Sequence, residues 1–189
     1  TMAQKELLRM EHIGKVFPGV VALDDVNFTV KAGTVHALMG ENGAGKSTLM
    51  KILIGLYQPT SGTITFDGKP LDTSSIQKVL HQGICMIYQE LNPIWNMTVA
   101  ENIYVGREPY KYGGKVIIDY KKMYDDTTAL FEKIDISGIG PHEKVGTLSV
   151  AKMQMIEIAK AISYNAKLVI MDELTSAITE KECQQLFRI

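Results

Sequence analysis

Cysteine is nearly absent: two in 189 residues, Cys85 and Cys183, lie far apart with no ligand-like spacing around either. That excludes a disulfide scaffold and a cysteine zinc site, and fits a reducing compartment. No charge of one sign prevails, since 20 Lys and Arg stand against 21 Asp and Glu for a net charge of -1. An even balance gives no electrostatic basis for binding nucleic acid or an anionic membrane. No apolar run nears the roughly 18 residues of a membrane-spanning helix, and the first residues lack a signal-peptide profile. Repeats, low-complexity tracts and Gly/Ser linkers are missing as well. What remains is ordinary globular material, 46% apolar and 22% charged. Its length suits one domain that buries about 70% of its unfolded surface. The expectation is a soluble cytoplasmic protein.

Short β-branched or apolar runs bounded by Gly and Asp predict strands over Leu7 to Ile13, Val26 to Val30 and Val35 to Met39. Between Lys46 and Gly55, Leu49, Ile52 and Leu53 recur at helical spacing. Ser61-Gly62 opens an alternating run, Thr63 to Phe66, closed by the turn pair Asp67-Gly68. A short helix near Ser74 to His81 and a strand from Ile84 to Tyr88 follow. Thr98-Val99-Ala100-Glu101 reads as a capping box, and Asp119 to Ile134 as a longer amphipathic helix. Nothing between Pro93 and Thr147 reads as a strand. A helix from about Val150 to Asn165, with Met155, Ile158, Ala159 and Ile162 inward, precedes a strand at Leu168 to Met171 and a helix start near Thr179. The pattern predicts an α/β core, residues 1–92 and 148–189, interrupted by an α-helical subdomain over 93–147.

Gly40-Glu41-Asn42-Gly43-Ala44-Gly45-Lys46-Ser47-Thr48 matches the phosphate-loop pattern G-x-x-x-x-G-K-[ST], with a strand expected before it and a helix after. Gly40, Gly43 and Gly45 let the backbone wrap an anion, and the amides through Asn42, Ala44 and Thr48 then face its phosphates. Lys46 is expected to bridge the outer phosphates and the Ser47 hydroxyl to ligate Mg2+. A Gly-rich turn before an ordinary helix is the bland alternative, and the surrounding pattern argues against it.

Leu168-Val169-Ile170-Met171 runs into Asp172-Glu173. Acids at the carboxyl end of a buried strand stand where α/β sheets place ligand chemistry. Asp172 would hold the Mg2+ shell, and Glu173 could orient and deprotonate the attacking water. Alone, such a pair is as well read as a solvated loop; the phosphate loop upstream shifts the reading toward chemistry.

Three further segments bring a resemblance to ATP-binding cassette proteins. Tyr88-Gln89-Glu90 resembles their glutamine loop, and Leu148-Ser149-Val150-Ala151-Lys152 resembles the LSGGQ signature. Thr175-Ser176-Ala177-Ile178-Thr179 is similar to the loop through which two cassettes communicate. Phe17 matches the aromatic position that stacks on adenine. Stretches such as QMIEIAKAISYNAKLVIMDE look like ATPase subunits of monosaccharide importers, of the galactose/methyl-galactoside type and next the ribose type. The resemblance implies a P-loop NTPase (RecA-like) core with an amino-terminal antiparallel β subdomain and the helical insertion. It also implies Mg-ATP held between one cassette's phosphate loop and the other's Ser149, with Gln89 sensing Mg2+ and the attacking water. The partners implied are a second cassette, membrane permease subunits and, indirectly, a sugar-binding protein. The implied place is peripheral, on the cytoplasmic face of the membrane.

The sequence departs from the family at Ala151 and Lys152 in the signature, and at Leu174, where proline usually follows the catalytic carboxylate. Ser149 is therefore expected to face the weaker of two composite sites. No histidine follows Glu173, so the switch histidine has no counterpart; the expectation is a fragment lacking the last core strands, with slow hydrolysis. Two other functions stay open: a non-transport cassette ATPase acting on nucleic acid, and a nucleotide-binding regulatory domain. Even charge disfavours the first, and the Glu173 carboxylate the second.

Overall fold

Alternating burial along Glu6–Phe17 makes the first strand, β1, which turns back through Pro18-Gly19 into β2, Val20–Lys31. Gly19, at φ 78°, supplies the left-handed second position of that tight turn. The computed structural model describes residues 5–88, 93–114 and 116–171. They divide into two units, Thr1–Cys85 and Met86–Ile189.

In the first unit, β1 is flanked on its other side by β3, Ser61–Phe66, and β4, Lys69–Pro70, completes an antiparallel sheet of order β2-β1-β3-β4. The β3–β4 turn has φ 49° at Asp67 and 78° at Gly68, the two positive values that match the twist of a tight hairpin. Leu8, Met10 and Ile13 of β1 are buried, as are Leu49, Ile52 and Leu53 of helix α1, Lys46–Leu53. Each such side chain contributes about 1.5–3 kcal/mol by leaving water. Helix α2, Ile76–Gln82, is capped by Ser75, whose Oγ accepts from the Lys78 amide, and stops at Gly83.

The strand expected over Val35 to Met39 does not form. Residues 34–40 have no ladder partner among the described residues, and Val35 and Met39 are 81% and 87% exposed. A β-branched run becomes a strand only where a neighbour takes up its N–H and C=O groups. The hairpin, conversely, is longer than expected: Val20 to Asp25 lacks clean alternation, yet pairing with β1 carries it.

Strand β5, Ile84–Ile87, runs across the boundary between the units, and the second unit holds strand β6, Leu168–Met171, and three mutually packed helices. The helices are α3, Val99–Tyr104, α4, Tyr120–Lys133, and α5, Val150–Ser163. Their contact faces are Val99, Ala100 and Ile103; Met123, Thr127 and Phe131; and Met153, Ile156, Ile158 and Ala159. Met155 is buried as expected, whereas Ile162 is only half-buried. Between residues 93 and 147, the described residues pair only as the isolated bridges Thr98↔Lys144 and Tyr110↔Ile118, in keeping with the absence of a predicted strand. No described helix is long and apolar enough to cross a membrane.

Candidate functional site

The nine residues from Gly40 to Thr48 form an exposed loop ending in the first turn of α1. Gly43 and Gly45 stand at φ 87° and 84°, in the left-handed region where other residues are strained. Gly45 is the N-cap of α1, and it lies against β2: a Cβ there would be 2.7 Å from Leu23 Cδ2 and 2.8 Å from the Ala22 carbonyl oxygen. Gly40 differs, since an added Cβ would meet only ordinary contacts, the nearest being Ala44 Cβ at 3.5 Å.

Two hydrogen bonds fix the loop's shape. The Ala44 amide donates to the Glu41 carbonyl at 3.2 Å, and the Leu49 amide to the Gly45 carbonyl at 2.9 Å. Among the described residues, no acceptor takes the amides of Gly43, Gly45, Lys46, Ser47 or Thr48. Successive unengaged donors, alternating left-handed glycines and the positive end of a helix dipole make an anion-binding nest. Lys46 Nζ folds back over it, donating to the carbonyls of Gly40 (2.5 Å) and Glu41 (2.8 Å). The loop thus places an ammonium, five amides and the Ser47 and Thr48 hydroxyls within one short segment. Asn42 and Ala44 are exposed beside them.

The ammonium, the five amides and the two hydroxyls all donate hydrogen bonds and so suit a polyphosphate, while Glu41 is the one carboxylate in the loop. The Ser47 oxygen is of the hard type that Mg2+ accepts. No group of three or more His, Cys, Asp or Glu among the described residues could hold a metal by itself. Asp172, Glu173 and Gln89, together with Leu174 and the run Thr175 to Thr179, lie outside the described residues.

Phe17 ends β1 opposite Val20, a short way along β2 from the Ala22-Leu23 stretch that abuts Gly45. The hairpin therefore carries the aromatic ring at its tip and the loop's wall in its body. The half-buried ring packs edge-to-face on Tyr57, centroids 5.3 Å apart, with Lys15 Nζ 5.0 Å from its centroid. Lys15 is itself held by the Gln58 carbonyl at 2.7 Å. Sequence reasoning found Phe17 but missed Tyr57 and Lys15, which no local pattern links to it.

In the second unit, Ser149 is exposed and caps α5, its Oγ accepting from the Lys152 amide at 3.4 Å. Hydroxyl and first-turn amides at the start of a 14-residue helix are the features an anion would meet there. Lys152, at the departure from the signature, sends its ammonium to the Gly138 carbonyl at 2.5 Å.

Residues 23–176 match the ABC transporter family. The chain belongs to that family. The family's cassette fold accounts for the antiparallel amino-terminal sheet and the helices that follow it. A galactose/methyl galactoside import ATP-binding protein, MglA of Escherichia coli K12, is 56% identical over 97% of this chain and 35% of its own length. A protein of Geobacillus kaustophilus named provisionally as a ribose/galactose/methyl galactoside import ATP-binding protein is 59% identical over all of this chain and 37% of its own. The chain therefore spans little more than a third of these relatives. Among solved structures, the ADP conformation of an ATP-binding cassette of an ABC transporter matches with a TM-score of 0.80 at 30% identity, over 97% of this chain and 74% of that one.

Proposed function

We propose that this chain binds Mg-ATP at Gly40 to Thr48 and supplies the hydrolytic cassette of a monosaccharide importer. The observation that carries the reading is the set of unengaged amides of Gly43, Gly45, Lys46, Ser47 and Thr48 beside the Lys46 ammonium. These amides would bind the β- and γ-phosphate oxygens, and Lys46 would exchange its two carbonyl contacts for the outer phosphates. Phe17, set by Tyr57, would stack on adenine. Mg2+, held by Ser47, Gln89 and Asp172, would neutralise charge on the transferred phosphoryl group. Glu173 would take a proton from the attacking water and Gln89 would orient it.

Residues 1–92 and 148–189 would act as the nucleotide core and residues 93–147 as the helical arm toward a permease. A second cassette would present its signature to this loop, while Ser149 would meet the nucleotide of the second cassette. The protein would work on the cytoplasmic face of the membrane, and a sugar-binding protein would deliver substrate to the permease. The relatives' names support a galactose, methyl-galactoside or ribose cargo. The test is calorimetric titration of Mg-ATP into the wild type and Lys46→Ala. Affinity is expected to fall by about 2–5 kcal/mol in the variant, as one partner of a close charge pair is lost; equal affinities would refute the site.

A further inference from the structure

Asn102, on α3, is 3% exposed, and its amide makes three hydrogen bonds to the segment before that helix. Oδ1 accepts from the Ile94 N–H at 2.8 Å, while Nδ2 donates to the carbonyls of Ile94 (3.1 Å) and Thr98 (3.0 Å). One side chain thus satisfies both backbone groups of Ile94, as a neighbouring strand would. Beyond Ile94, the same segment is bonded to residues 141–146. The Gly146 amide donates to the Trp95 carbonyl at 3.1 Å, and the Val145 amide to the Met97 carbonyl at 3.1 Å. Thr98 bridges Lys144, the Val99 amide donates to the Glu143 carbonyl at 2.9 Å, and the Ala100 amide to the Pro141 carbonyl at 3.1 Å.

Position 146 admits only glycine at this spacing, because a Cβ would stand 2.9 Å from the Trp95 carbonyl oxygen. Three residues further on is Ser149, and Leu148 between them is buried. Residues 94–100 and the backbone that leads into Ser149 are therefore joined bond by bond, with Asn102 fixing one side and Gly146 allowing the close approach of the other.

We propose that Asn102 and Gly146 are positioning residues for Ser149: the seam they hold between residues 94–100 and 141–146 sets where the α5 N-terminus stands. Neither side chain touches nucleotide; both act through the placement of Ser149. The inference rests on the cassette function proposed above. A side-chain amide that closes three buried bonds cannot drift without leaving backbone groups unpaired, so the seam moves as a body.

The experiment is a double-mutant cycle in the full-length protein, reading ATP turnover together with Mg-ATP affinity. Asn102→Asp keeps the shape but loses both Nδ2 donors; Gly146→Ala forces the seam apart and leaves the Asn102 bonds in place. Each is expected to lower kcat by about two- to thirtyfold, the range seen for coupling residues remote from ligand. KM and Mg-ATP affinity should stay within about twofold of wild type, and the calorimetric stoichiometry should match wild type, which separates a lower kcat from a smaller folded fraction. With Ser149→Ala already present, neither change should lower kcat further. Losses that multiply with that of Ser149→Ala, or an unchanged kcat in a folded variant, would overturn the proposal. Should Asn102→Asp fail to fold, Gly146→Ala decides by the same criteria. A wild type that binds no Mg-ATP would instead overturn the cassette function beneath it.

Discussion

Gly45 is restricted to glycine twice over, by a φ of 84° and by Leu23 and Ala22 against its α-carbon. Gly45→Ala is therefore expected to destabilise the first unit by about 1–3 kcal/mol, read as a drop in the urea midpoint. Gly40 carries neither restriction, so Gly40→Ala should leave that midpoint within about 0.5 kcal/mol of wild type. If Gly40→Ala nonetheless weakens Mg-ATP binding, the glycine there serves the ligand and not the fold; equal losses of stability in both variants would refute the distinction. Lys46 is a third case, since among the described residues its ammonium donates only to the carbonyls of its own loop. Lys46→Ala should accordingly reduce affinity while leaving the melting curve unchanged.

Among the elements, α3 shows how far short motifs can be read. Thr98 Oγ1 accepts from the Glu101 amide at 3.3 Å, and Glu101 Oε2 accepts from the Thr98 amide at 2.7 Å, which is the reciprocal cap expected from four letters of sequence. Thr98→Ala should destabilise the second unit by about 1 kcal/mol in chemical denaturation. At the start of α2, the Lys78 ammonium and the Ser74 amide hold the Asp72 carboxyl well below the usual carboxylate range. Because the folded-state pKa is depressed, the stabilisation is complete above the ordinary carboxylate pKa and is lost as pH falls through the lower folded value. The gap in urea midpoint between wild type and Asp72→Asn should thus be widest near neutrality and close in strong acid. Caps, the phosphate loop and the helical stripes were legible because each is written within a few consecutive residues. The failed strand at Val35 to Met39 was not, since a strand is decided by its neighbours. Tyr57 against Phe17, and Asn102 against Ile94, depend on contacts between separated segments that no periodicity records.

For the protein as a member of the ABC transporter family, each unit carries one of the segments proposed to meet nucleotide. The first holds the phosphate loop with its flanking hairpin; the second holds Ser149 at the start of α5. We propose, from Ala151 and Lys152, that Ser149 serves the weaker of two composite sites, so Ser149→Ala in the full-length protein should reduce ATP turnover without abolishing it. Complete loss of phosphate release in that variant would refute the asymmetry. The phosphate loop carries the rest of the reading, and it can be observed residue by residue through its own amides. Mg-ATP titrated into isotopically labelled chain and followed by nitrogen–proton correlation spectra should shift the amide signals of Gly43, Gly45, Lys46, Ser47 and Thr48 together and saturably. Nucleotide that leaves those five signals in place, or moves signals elsewhere instead, would contradict the phosphate-binding role of this loop.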